Sequence, residues 1–140
     1  PTRPTELAFE KNAVSVPPIH KTGQVEWPKG PPDAATEFVT LTKQKYPSLR
    51  GFASEVIRSG GGADETLLFV HGYNVTHAEA VYQLAQVAHD FELQAPTVLF
   101  SWPSAGTTAG SRSAAAITAK GMADSQFGSG ALPGGPCRVT

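Results

Sequence analysis

The sequence predicts an α/β fold built on parallel strands, and three observations support this. Two short apolar runs, Leu67–Val70 and Thr97–Phe100, have the continuous hydrophobicity of strands that are buried on both faces of a parallel sheet. Between them, apolar residues recur with helical spacing from about His77 onwards. A strand, a helix and a second strand in this order form a βαβ unit, whose crossover is right-handed.

The start of the central helix is marked by its own capping signal. Thr76 and Glu79 form the pattern Thr-x-x-Glu, in which each residue satisfies a free backbone amide of the other. The apolar stripe that follows is made of Val81, Leu84, Ala85, Ala88 and Phe91. These signals are local, so the helix is predicted without reference to the rest of the chain.

Weaker signals lie before this unit. Ala13–Val16 predicts a short strand, and the alternation in Phe38–Thr42 predicts a second one. Ser48–Arg58 has the apolar spacing of an amphipathic helix, which the glycines after Ser59 would end.

Composition divides the chain into three parts. Residues 1–34 are Pro-rich and predict an extended arm, and residues 35–110 predict the domain itself. Residues 111–140 are rich in Ser, Ala and Gly, which predicts a low-complexity tail that is disordered or the product of a frame-shift. Within that tail, Ala114–Ala119 is compatible with a turn or two of helix.

Composition also excludes several classes of function. The net charge of −1 gives no basic field for nucleic acid, and no apolar run approaches the roughly 20 residues of a membrane span. Cys137 is the single cysteine, and the spacing of His20, Glu26 and Asp33 matches no standard metal motif. We therefore expect neither a metal nor a cofactor.

The strand Leu67–Val70 runs directly into His71-Gly72-Tyr73-Asn74. Ligands of open α/β sheets bind at the carboxyl ends of the strands, so this turn is the candidate site. Gly72 is expected to let the chain turn sharply and to let a ligand approach the backbone.

Three motifs in Glu65–Ser104 resemble a bacterial α/β-hydrolase family, whose members are esterase- or lipase-like enzymes of unknown physiological substrate. The motifs are FVHGYN at Phe69–Asn74, A-x-x-x-x-A-Q-x-x-H-D at Ala80–Asp90 and FSWPS at Phe100–Ser104. The resemblance extends more weakly over the range Val14–Gly110.

The resemblance implies a partial α/β-hydrolase fold and acyl hydrolysis of a small ester-like substrate through a Ser-His-Asp triad. In such enzymes one oxyanion donor is a backbone N–H of the loop after this strand, which here is the N–H of Tyr73. The residues expected around the substrate are His71, Gly72, Asn74, Ser101 and Trp102. The resemblance is compatible with a soluble protein of either the bacterial cytoplasm or the cell envelope.

The triad itself is missing from the sequence. No G-x-S-x-G elbow is present, and all four histidines precede the position of a triad histidine. Ser101 is not expected to be a nucleophile because no base is in view, and His71 is expected to be structural. His77 is expected to be solvated, and His89 to interact with the carboxyl end of its helix.

The chain is therefore interpreted as the front part of a serine hydrolase that is inactive alone. Two other interpretations stay open, a non-catalytic binding module that uses its open sheet edge and a non-functional remnant. Self-association through the same edge is also expected. A frame-shift near Ser111 would explain the change of character there, and the nucleotide sequence after the codon for Gly110 tests it.

Overall fold

The computed structural model describes residues 7–102 and 112–121, which form one mixed sheet with a helix on each face. The strands are β1 (Ala8–Val16), β2 (Val39–Tyr46), β3 (Leu67–Val70), β4 (Thr97–Ser101) and β5 (Ser113–Gly121). The helices are α1 (Leu49–Ser59) and α2 (His77–Asp90). The strand order is β2-β1-β5-β4-β3, so β3 and β2 are the edges among the described strands.

The predicted βαβ unit is confirmed. β3 and β4 pair in parallel with Leu67 opposite Thr97, and α2 connects them. β5 is antiparallel to β4 and parallel to β1, and β1 is antiparallel to β2. The carboxyl ends of β3 and β4 therefore lie at the same edge of the sheet as the amino ends of β1 and β5.

Two apolar clusters hold the helices on opposite faces of the sheet. On the α2 face, the larger cluster centres on Leu84 of α2 and Leu99 of β4, both completely buried. On the α1 face, Phe52 and Val56 pack against Val98 of β4. Because successive side chains of a strand point to opposite faces, neighbouring residues of β4 serve both layers.

Both helices begin at residues whose side chains cap them. Thr76 Oγ1 accepts a hydrogen bond from the Glu79 amide at 3.2 Å, and Glu79 Oε2 accepts one from the Thr76 amide at 2.7 Å. This is the predicted capping box. Ser48 Oγ accepts from the Gly51 amide at 3.1 Å and caps α1.

The structure differs from the prediction at both ends of the described chain. β1 extends the short strand predicted at Ala13–Val16 back to Ala8 and lies inside the sheet. Ser113–Gly121, where a loose tail or a turn of helix is expected, is a nine-residue strand between β1 and β4. Four of its nine residues are alanine, which has little intrinsic preference for strands, so only the pairing on both sides reveals it. Residues 103–111 and 122–140 lie outside the described residues, and the division at 34 and 110 stays a prediction.

Neither α1 nor α2 has the length and apolar character of a membrane span, so the described part of the chain contains no candidate span.

The position of β5 can be tested by placing a charge in it. Ala115 is completely buried on the α2 face, so Ala115→Asp should lower the free energy of unfolding by more than about 2 kcal/mol. Ala63 is exposed, and Ala63→Asp should change it by less than about 0.5 kcal/mol. Chemical denaturation of both variants measures the difference, and equal stabilities would show that this strand is not part of the core.

Candidate functional site

The candidate site lies where β3 and β4 end, and His71 joins the two ends. His71 is buried, and its Nε2 lies 3.1 Å from Ser101 Oγ and 3.3 Å from the Trp102 amide nitrogen. The Trp102 indole N–H donates to the His71 carbonyl at 3.1 Å. The two rings stack with an interplanar angle of 2° and centroids 5.6 Å apart.

These contacts determine which nitrogen of His71 carries the proton. The Trp102 amide can only donate, so Nε2 of His71 accepts from it and carries no hydrogen. Nδ1 therefore holds the proton and donates to the Gly72 carbonyl at 3.0 Å. The ring therefore links the ends of the two strands.

The next residues of the turn are open to solvent. Tyr73 is 77% exposed, and its amide has no hydrogen-bond partner within residues 7–102 and 112–121. A Cβ added to Gly72 would meet no atom within 4 Å, so space is free above this part of the backbone. The residue with positive φ is Asn74, at 65°, and not Gly72. The sharp turn expected at the glycine is made by an asparagine, which tolerates this conformation better than most side chains do.

Ser101 has the histidine partner that the sequence did not reveal. Ser101 is 5% exposed, and its hydroxyl donates to His71 Nε2. The same nitrogen also accepts from the Trp102 amide, and the ring's other nitrogen is bound to a backbone carbonyl. The pair is therefore arranged to fix the ends of β3 and β4, and this geometry gives Ser101 no exposed path to a substrate.

Residues 52–122 match the family model described as "Alpha/beta hydrolase of unknown function (DUF900)", and this range is just over half of the chain. The chain belongs to this α/β-hydrolase family. The match confirms the predicted family and, with the mixed sheet, the partial α/β-hydrolase fold. It continues past Gly110, where the resemblance found by motifs stops. No curated protein and no solved structure matches the chain.

The start of α2 in this α/β-hydrolase is fastened to β1. His77 Nε2 lies 2.6 Å from Glu10 Oε1, so the expectation that His77 is solvated is wrong. Asn12 also donates to Glu10 Oε1, at 3.1 Å, and Lys43 Nζ lies 3.4 Å from Glu10 Oε2. The turn that carries Tyr73 is therefore followed by a helix whose first residue is bound to β1, inside the sheet.

These partners lower the pKa of Glu10. Burial acts to raise it, but hydrogen bonds from His77 and Asn12, together with the charges of His77 and Lys43, bring the pKa from the ordinary 4.5 to about 2. The carboxylate therefore stays ionised in the folded chain at pH values where the unfolded chain takes up a proton.

The carboxyl end of α2 is also held by contacts between a histidine and carboxylates. His20 donates from Nδ1 to Glu26 at 2.6 Å and from Nε2 to Asp90 at 2.7 Å. Burial acts to lower the pKa of His20, but these two carboxylates raise it overall. His89, in the last turn of α2, lies edge-on to His20, with ring centroids 5.4 Å apart. His20 and Asp90 are far apart in the chain, and no local sequence pattern predicts that they meet.

The pH dependence of stability follows from Glu10. Because its pKa is lower in the folded chain, it stabilises the fold above its ordinary pKa, and this contribution is lost as the pH falls from about 5 towards 2. Over this pH range, Glu10→Gln should therefore lose less unfolding free energy than the wild type does. Urea denaturation at several pH values measures the loss. Glu65→Gln, at an exposed position, is the matched control, and the prediction fails if both variants lose as much as the wild type.

Proposed function

We propose that this chain supplies the oxyanion-hole strand and loop of a serine hydrolase that cleaves small ester-like substrates. The observation that carries the proposal is the Tyr73 amide. It follows a strand at the carboxyl edge of the sheet, is without a partner in the described part of the chain, and lies in an exposed turn. Membership of the α/β-hydrolase family supports the same assignment.

The chemistry requires a fixed N–H group where negative charge develops. Attack on an ester carbonyl turns its oxygen into an oxyanion, and a donor already in place stabilises that charge without reorganising. Free space above Gly72 allows the carbonyl to approach the backbone. The N-terminus of α2, three residues beyond Asn74, adds the positive end of the helix dipole.

The remaining pocket residues hold or border this donor. His71 and Ser101 fix the two strand ends, so the Tyr73 amide starts from a rigid base. Trp102 lies against the His71 ring and would form a wall of the substrate pocket, and Gly72 and Asn74 would line its floor. The inference concerns backbone and pocket shape, and it gives none of these side chains a proton-transfer role.

We infer that the chain is inactive alone. Its sequence has no G-x-S-x-G elbow, and the histidines His20, His71 and His77 are each bound to groups that fix them in place. The purified chain should therefore release p-nitrophenol from p-nitrophenyl butyrate no faster than a buffer blank does. Turnover that scales with the concentration of the chain and survives further purification would contradict this.

The oxyanion role of Tyr73 is tested by removing one N–H group. In a full-length family member, the tyrosine at this position is replaced by its α-hydroxy acid, which turns the amide into an ester and keeps the side chain. We expect kcat for p-nitrophenyl esters to fall by about 100- to 1,000-fold, because one oxyanion donor is lost. The control is the same codon suppressed with tyrosine. A kcat within about threefold of this control would contradict the proposal.

A second proposal concerns the open edge of the sheet. Thr97–Phe100 is not that edge, because β4 is paired on both sides, and β3 is the edge strand on this side of the described sheet. Leu68 and Val70 on β3 are 61% and 54% exposed. We propose that this edge pairs antiparallel with β3 of a second copy, since a two-fold contact satisfies both edges at once.

Self-association through β3 should be sensitive to charge at the edge. Leu68→Lys places a positive charge on each copy beside the shared strand, so the dimer should weaken by about tenfold or more. Ile57→Lys on α1, at an even more exposed site, should leave it unchanged. Sedimentation velocity over a range of concentrations measures both. A monomeric wild-type chain, or equal dissociation constants for the two variants, would exclude this contact.

A further inference from the structure

Two histidines and an aspartate meet at the carboxyl end of α2, away from the proposed oxyanion loop. His20, His89 and Asp90 each direct one ligand atom into this place, and the three atoms lie within 4.8 Å of one another. The cluster and the turn at Tyr73 lie at opposite ends of α2, whose 14 residues span about 20 Å. The cluster is thus independent of the proposed acyl chemistry.

The atoms that face away from the centre of the cluster have partners of their own. His20 Nδ1 donates to Glu26, whose other oxygen accepts from the Lys21 amide at 3.0 Å. Asp90 Oδ2 accepts from the Gly23 amide at 2.7 Å and from the Gln86 side chain at 2.6 Å. A histidine whose second nitrogen is bound to a carboxylate is the usual arrangement of a metal-binding histidine.

His89 is the member of the cluster whose side chain has no hydrogen bond in the described part of the chain. It is half-buried, and its ring lies edge-on to His20. Its imidazole therefore has a free nitrogen beside a site where the other two ligand atoms are already oriented.

We propose that His20 Nε2, one ring nitrogen of His89 and Asp90 Oδ1 bind a divalent transition-metal ion, with zinc as the best fit. Two imidazoles and one carboxylate are a ligand set that zinc accepts, with water completing a tetrahedron. Bonds of 2.0–2.1 Å place tetrahedral ligand atoms about 3.4 Å apart. His20 Nε2 and Asp90 Oδ1 now lie 2.7 Å apart, so they separate slightly as the ion replaces the proton between them, which passes to solvent.

No sequence motif predicts this site. The spacing of His20, Glu26 and Asp33 matches no metal motif, and Asp33 accepts from the amide of Ala35 in a local turn and takes no part. The missing ligands come from α2, and only the packing of the N-terminal segment on that helix brings them together. A metal bound here would link residues 17–26 to α2, and its binding would raise the free energy of unfolding.

The experiment titrates the purified, metal-stripped 140-residue chain with Zn²⁺ and, separately, with Co²⁺. Zn²⁺ should raise the Tm, and Co²⁺ should give the visible absorption of a tetrahedral nitrogen- and oxygen-bound ion. His89→Gln should weaken zinc binding by more than about 100-fold, and Glu26→Gln, outside the ligand set, by about 10- to 100-fold. Isothermal titration calorimetry gives the dissociation constants.

The controls separate metal binding from a folding defect. The His89 side chain makes no hydrogen bond within the described residues, so the metal-free Tm of His89→Gln should stay close to that of the wild type. His77→Gln carries the same substitution at the other end of α2 and should bind zinc as the wild type does. The proposal is overturned if the wild-type Tm and cobalt spectrum do not respond to metal, or if His89→Gln and His77→Gln bind zinc equally.

Discussion

The structure depends on how α2 is fixed to the N-terminal part of the chain. A histidine and a carboxylate meet at each end of the helix: His77 contacts Glu10 of β1 at the start, and Asp90 contacts His20, which follows β1, at the finish. Between these two contacts, Leu84 and its apolar neighbours fill the space against the sheet. A carboxylate at a helix C-terminus is opposed by the helix dipole, and His20 offsets this cost at Asp90. The helix can therefore neither slide nor tilt without breaking a partly buried polar contact.

The position of the candidate site follows from this constraint. The turn with Tyr73 is short, and it is held between a helix start anchored by His77 and a strand end anchored by His71. A histidine in such a place suggests acid–base chemistry, but Nε2 of His71 joins the ends of β3 and β4, and Nδ1 is bound to the Gly72 carbonyl. His71 contributes to the proposed reaction by holding the backbone amide of Tyr73, two residues further on, in a rigid position.

β5 shows how small side chains allow a three-layer arrangement. Ala114 faces the α1 layer and Ala115 the α2 layer, so both helices can approach the middle of the sheet closely. Larger residues at these positions would push the layers apart. These small side chains also make the strand hard to recognise from the sequence, because alanine and serine give neither an apolar run nor a clear alternation of polar and apolar residues.

The sequence by itself determined the β3–α2–β4 unit, the capping box at Thr76 and the family, because each depends on residues that are close together in the chain. The turn at Tyr73 could be predicted as the candidate site for the same reason. Only the tertiary structure decided that Ser101 pairs with His71, that Glu10 is bound to His77, and that β5 enters the sheet. These features depend on residues 20 or more positions apart, whose approach is set by the packing of layers and leaves no periodic pattern in the chain.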